Sequence, residues 1–172
     1  FKHDYGSLTD AVENQRYMAE SGRKHGAFGY VCTQWESRYG NSFEASWPLL
    51  ALSAGQAWTG GQVVDDAVLR ALSFAVTGET TGALGGWLRE VSAVDDFIGG
   101  KTGRRGAFRS DLFLGGPHYL WRRMSPVLDA RDRAFIAGRL RAAAAHLAAL
   151  GRRDPALNQA LLLPMDLLGE GL

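Results

Sequence analysis

The sequence predicts an all-α protein built from antiparallel αα-hairpins. Three observations carry the helical prediction. Apolar residues recur at spacings of three and four along most of the chain. Glycine or a Gly-Gly pair closes most of these stretches. No segment alternates apolar and polar residues between hairpin turns, as a strand would. The chain has 172 residues, 46% of them apolar and 22% charged, enough for one packed core and too apolar for wholesale disorder. A single helical domain over residues 1–172 is expected.

Taken in order, Ser7 caps a helix from Leu8 to Ser21, with Asp10 near its positive end and Gly22 as its stop. An irregular connector from His25 to Ser46 carries Phe28, Tyr30, Trp35, Tyr39 and Phe43. Ser46 caps the next helix, where Pro48 fits the first turn, Trp47, Leu50, Ala54 and Ala57 form the expected stripe, and Gly60-Gly61 ends it. A further helix places Val64, Val68, Ala71 and Ala75 on its buried side and stops at Gly78, so the Gly-Gly turn makes an αα-hairpin. A weaker helix over Leu84 to Val91 is broken by Gly85-Gly86, and Asp95 to Gly116 reads as a glycine-rich interruption. A short helix starts at Pro117 and stops before Pro126. The clearest helix spans Ala130 to Leu150, with Ile136, Leu140, Ala143, Leu147 and Leu150 on one face. Asp154-Pro155 opens a last helix through Leu168, kinked at Pro164. Phe1 in place of Met, and an apolar finish at Leu172, point to a fragment of a longer protein.

Several function classes drop out at this stage. One cysteine, Cys32, excludes an internal disulfide framework and a cysteine-rich zinc site. No apolar run reaches the ~18–20 residues that cross a bilayer, so no membrane partner is expected. His3, His25, His118 and His146 form no ligand pair, and neither a metal nor a cofactor is expected. The Asp95 to Thr102 run ends in Gly-Lys-Thr and resembles a phosphate-binding loop, but it has aspartate where that loop needs its first glycine. The Asp95-Asp96 pair lacks the third acid of a magnesium-binding aspartate motif, because Gly99 stands there.

Charge is uneven. Between Phe97 and Arg153 twelve basic residues, eleven of them arginine, face three acidic ones, a surplus of +9 in a chain whose net charge is +1. Such a half meets an anionic partner, packs against a complementary acidic face, or is a set of solvated helix faces. Arginine's planar fork suits carboxylate, sulfate or phosphate.

The connector from His25 to Asn41 is the best site candidate. Flat rings that stack on sugar faces, Tyr30 and Trp35 among them, alternate with Gln34, Glu36, Arg38 and Asn41, which hydrogen-bond hydroxyls or a carboxylate. His25, Tyr30 and Tyr39 are candidate proton-transfer groups. The competing reading is a long connector whose rings pin it to the helices.

Glu13-Asn14-Gln15 resembles the Glu-Asn-His signature on inner helices of (α/α)-toroid carbohydrate-active enzymes, the group of heparinase-like polysaccharide lyases and related glycoside hydrolases, with Gln15 in the histidine's place. Tyr39 to Trp47, followed by Pro48-Leu49-Leu50-Ala51-Leu52, resembles the loop-into-inner-helix passages of that fold, and Asn158 to Leu163 resembles another. The resemblance implies that the antiparallel αα-hairpins are part of an (α/α)-toroid-like array, and it implies cleavage of an acidic polysaccharide, by β-elimination or by hydrolysis, and an extracellular or periplasmic setting. For elimination it implies Asn14, Arg38 or Asn41 as neutraliser of the uronate carboxylate, and Tyr39, Tyr30 or His25 as base and acid. Arg104, Arg105 and Arg109 then hold neighbouring anionic sugars, with Trp35 and His118 as further binding residues. For hydrolysis it implies a carboxylate pair such as Glu13 with Glu36 or Glu44. Two other classes remain open: a helical module binding nucleic acid or another polyanion through its arginine-rich half, and a helical scaffold.

Overall fold

Five helices account for most of the residues that the structure, a computed structural model, describes: residues 8–33, 46–103 and 126–151, with Arg122, Ala156 and Leu161. No strand occurs among them. The helices are α1 (Leu8–Lys24), α2 (Trp47–Thr59), α3 (Asp65–Thr77), α4 (Ala83–Thr102) and α5 (Ala130–Gly151). The helices expected from Pro117 and from Asp154-Pro155 lie outside the described residues, apart from helical Arg122, Ala156 and Leu161.

Helix α4 is the hub. It packs on α3, α5, α1 and α2, and Leu84, Trp87, Leu88, Val91, Val94 and Ile98 on it are all completely buried. These residues follow the three-and-four spacing of a single helix face. The expected break at Gly85-Gly86 is therefore absent, and the run from Asp95 to Thr102 is helix rather than loop. Close packing explains why glycines stand there. A Cβ on Gly85 would lie 2.9 Å from Leu69 Cβ of α3, and one on Gly86 would lie 2.5 Å from the His146 ring of α5. The two hydrogens let neighbouring helices press in on either side.

That explanation fixes a contrast. Gly85→Ala pushes against Leu69 Cβ, which cannot move without α3, so overpacking of about 1–3 kcal/mol outweighs the helix-propensity gain of about 1 kcal/mol. Gly100→Ala, in the same helix with open space around the new methyl, keeps only the gain. Urea midpoints should move down for the first variant and up for the second.

Contacts between side chains give the helix directions. Leu69 meets Gly85 and Asp66 pairs with Arg89, so α4 runs antiparallel to α3. Glu90 pairs with Arg139 at 3.0 Å and Lys101 with Asp132 at 2.9 Å, so α5 runs antiparallel to α4. Between these two pairs the Phe97 and Phe135 rings pack at 4.6 Å, with Lys101 and Arg139 over their faces. Helices α1 and α2 differ. Gln15 Nε2 donates to the Leu49 carbonyl at 3.1 Å, while Arg23, near the end of α1, lies over Gly60 at the end of α2. These two helices run parallel.

Ends are set by local chemistry. Gly60 and Gly78 terminate α2 and α3 in the left-handed conformation, at φ 62° and 68°, as their sequence positions predict. Helix α1 instead runs through Gly22 and closes at Gly26 (φ 70°), where Ala27 N–H donates to Gly22 O at 2.8 Å and Gly26 N–H to Arg23 O at 3.3 Å. This is a Schellman closure. Ser46 holds the cap position of α2, and Pro48 stands in its first turn. Asp129 and Asp132 form a capping box on α5: Asp132 N–H donates to Asp129 Oδ1 at 2.9 Å, and Asp129 N–H to Asp132 Oδ2 at 3.1 Å. Lys101 holds the Asp132 carboxyl below the ordinary range, with help from the Asp129 N–H against partial desolvation.

The α5 stripe Ile136, Leu140, Ala143, Leu147 and Leu150 is buried throughout, as its spacing predicts. The stripes of the shorter helices are rotated from the expected ones. On α2 the buried residues are Pro48, Leu49, Leu52, Ser53 and Gln56, and Ala54 and Ala57 face solvent. On α3 they are Leu69 and Ser73, with Val64, Ala71 and Ala75 exposed.

Candidate functional site

The closure at Gly26 sends the chain from α1 back toward α2, and Tyr30 fixes its course. Tyr30 Oη donates to the Ser53 carbonyl at 2.7 Å and lies 3.0 Å from Ser53 Oγ. Between the last turns of α1, residues 27–30 and the end of α2 lies a half-open cleft of about 390 Å³. Met18 and Ala19 contribute apolar surface, while Phe28 and Trp58 stand at its margin with their rings in solvent, Trp58 at 92% exposure. Exposed rings of this size stack on flat ligand faces.

Arg23 supplies the charge. A Cβ on Gly60 would fall 2.6 Å from Arg23 Cδ, so the missing side chain at Gly60 is what admits the arginine stem across the end of α2. Arg16 is tied to Asp65 at 2.9 Å, Arg89 to Asp66 and Arg139 to Glu90. Arg23 has no such partner among the described residues. Arg23 also borders a second depression of about 510 Å³, lined by Tyr17, Glu20, Ser21, Lys24 and His25.

His25 is exposed, and its Nδ1 lies 2.9 Å from the Ser21 carbonyl. A carbonyl only accepts, so Nδ1 carries the proton and Nε2 is the basic nitrogen of the neutral ring. The lone pair that can accept a proton then lies on Nε2. Glu13 and Asn14 are exposed on the first half of α1. Ten residues separate Asn14 from Lys24, about 15 Å along the axis at ~1.5 Å per residue, so the structure does not bring Glu13 and Asn14 to His25. Of the other residues expected in the site, Trp35, Glu36, Arg38, Tyr39, Asn41, Arg104, Arg105, Arg109 and His118 lie outside the described residues, as does Glu44.

Gln15, in the histidine's place of the Glu-Asn-His-like triplet, is 3% exposed and reaches the Leu49 backbone. Its observed task is joining α1 to α2. Gln56, fully buried, donates to Asp65 Oδ1 at 3.0 Å beside the Arg16 contact, so one carboxylate links α1, α2 and α3.

Elsewhere, a depression of about 450 Å³ is lined by Thr9, Asp10, Asp96, Gly99, Gly100 and Gly103, with Thr9 Oγ1 donating to Asp96 Oδ2 at 3.2 Å. The Gly-Lys-Thr stretch thus ends a helix beside carboxylates, and its Lys101 is held by Asp132. This is a poor setting for phosphate. No group of three His, Cys, Asp or Glu is placed to hold a metal ion among the described residues. No helix among them is long and apolar enough to cross a membrane. Cys32 is a half-buried free thiol.

Sequence reasoning singled out Tyr30 but not Arg23, Met18 or Trp58. The available signals were an arginine in the last turn of a helix and a tryptophan directly before a Gly-Gly stop. No family model, curated protein or solved structure matches the chain.

Proposed function

We propose that the chain is a carbohydrate-active helical domain, part of an (α/α)-toroid-like array of hairpins, that cleaves an acidic polysaccharide by β-elimination or hydrolysis. The observation that supports this reading best is the cleft where the end of α1 and the ring-bearing connector meet α2, with Tyr30, Phe28 and Trp58 beside Arg23. The rings offer stacking faces to sugars, and the arginine offers a fork to a carboxylate or sulfate. In the elimination reading a neutraliser makes the proton beside the uronate carboxylate acidic and a base removes it. His25, with its basic Nε2 directed away from the Ser21 carbonyl, is one candidate base, and Tyr39 on the connector is another.

The polyanion-module reading is weakened by how the basic half is used. Arg139 and Lys101 are committed to Glu90 and Asp132, so part of the +9 surplus serves internal packing.

The test is incubation of the chain with polygalacturonate, alginate, chondroitin sulfate and heparin. Ultraviolet absorbance of an unsaturated product reports elimination, and new reducing ends report hydrolysis. Whichever of His25→Ala and Tyr39→Phe removes the proton-transfer group should slow turnover by about 10²–10⁴-fold. If neither product forms on any of the four polymers, the enzyme reading fails.

A further inference from the structure

We infer that Arg23, Trp58 and Phe28 form a saccharide subsite that selects a sugar ring bearing a negative charge, with Arg23 as the residue that reads the charge. The inference rests on the carbohydrate reading above and deepens it at one point: the preference for an acidic sugar over a neutral one is placed on Arg23, apart from the proton-transfer groups.

Four observations converge. Trp58 and Phe28 expose their rings at the rim of one cleft, although neither ring is needed to cover the core. Large rings left in water at a concave site are unusual for a surface whose only task is solubility. Arg23 is pinned by its stem rather than by a carboxylate: it lies across Gly60, whose φ of +62° and lack of a side chain keep that path open. Its guanidinium has no acidic partner among the described residues; the exposed Arg70, Arg131 and Arg141 share that state, but of these four only Arg23 borders the cleft with the two rings. Lys24 and His25 stand in the adjoining depression, where Glu20 is the acidic residue, and this leaves the rim with a positive surplus. A planar fork beside a stacking platform matches a pyranose that carries a carboxylate or sulfate on its edge. The cleft's volume of about 390 Å³ suits one or two such rings.

Calorimetric titration of the chain with tetragalacturonate and with cellotetraose, a neutral chain of equal length, tests the assignment. The acidic oligomer should bind about tenfold more tightly than the neutral one, and added salt should narrow the gap. Arg23→Gln should abolish the preference, bringing tetragalacturonate down to the affinity of cellotetraose. Trp58→Ala should weaken both oligomers. Gly60→Ala, which retains every charge but obstructs the arginine's path, should lower the preference in the same direction as Arg23→Gln. Unchanged helical circular dichroism and melting temperature identify variants that fold normally.

Equal binding of the two oligomers, or a preference that survives Arg23→Gln, overturns the inference and leaves the carbohydrate reading standing. Binding of neither oligomer overturns it too, and removes the cleft as support for that reading, whose own test is product formation. Tighter binding of a single-stranded oligonucleotide than of tetragalacturonate, abolished by Arg23→Gln, overturns it in favour of a nucleic-acid ligand.

Discussion

Replacing Trp87 by alanine should lower the melting temperature by about 6–20 °C. Trp87 lies on α4, the helix that touches every other described helix, and its side chain is completely buried. Truncating a buried tryptophan costs about 3–5 kcal/mol, the sum of lost transfer free energy and a cavity that the surroundings only partly fill. In a domain of this length each kcal/mol moves the midpoint by about 2–4 °C. The neighbourhood has little means of collapsing into the space. Leu84, Leu88, Val91 and Val94 are already packed at zero exposure, and Gly85 and Gly86 hold α3 and α5 close to the same helix. Thermal denaturation followed by circular dichroism measures the shift. A loss under about 5 °C would mean that the core is not organised around α4.

Glu79→Ala should cost about 2–3 kcal/mol at neutral pH, and the loss should fade in acid. The Glu79 carboxylate is buried ahead of α4. Its Oε2 accepts N–H groups of Gly82 at 3.0 Å and Ala83 at 2.9 Å, and its Oε1 accepts that of Thr81. Three donors that the helix cannot satisfy internally thus converge on one anion at the positive end of the axis. Hydrogen bonds to charged groups contribute about 1.5–3 kcal/mol, and truncation leaves buried donors without a partner. Burial by itself would raise the Glu79 pKa, but the hydrogen bonds of Thr81, Ala83 and Gly82 prevail and hold it below the ordinary carboxylate range.

The sign of the pH effect follows. With a folded pKa below the unfolded one, the stabilisation is complete above the unfolded value, about 4.3 for glutamate, and disappears as pH falls through the lower folded value. Melting curves of the parent and of Glu79→Gln should therefore differ by a constant amount from pH 7 to about pH 5. They should begin to converge below about pH 4, as the folded carboxylate takes up its proton. A difference independent of pH down to pH 3 would show that the charge contributes nothing.

The two helices bearing on these predictions differ in how readable they were. The α5 face was legible because Ile136, Leu140 and Leu147 are large residues at unambiguous spacing, and the structure buries all of them. Helix α4 has an equally regular stripe, yet two glycine pairs outweighed it. Glycine is costly in an isolated helix, and only the proximity of Leu69 and His146, which no local pattern reveals, explains Gly85 and Gly86, while nothing crowds Gly100. In α2 the alanines fitted a plausible stripe, whereas the buried face includes Ser53 and Gln56, polar residues that bond to Tyr30 and Asp65. Burial of polar side chains through such tertiary bonds is invisible to a hydrophobic pattern.

The candidate site shows the same division. Tyr30 stood out as a ring among polar neighbours. Arg23 and Trp58 acquire meaning only from the approach of two helix ends, which lie far apart in sequence. The Gly-Gly pair after α2 was readable as a stop. Its second role, clearing a path for Arg23 and room for Glu20 beside Gly61, was not.

Because α1 and α2 point the same way, the C-terminal ends of both helices border the cleft. Aligned peptide dipoles leave about half a negative charge at such an end, a background that works against anions before any side chain is considered. For the acidic sugar proposed above, acceptance therefore turns on where along the guest its charge sits, not on how much charge it carries: the group must be seated against the Arg23 guanidinium to overcome that background.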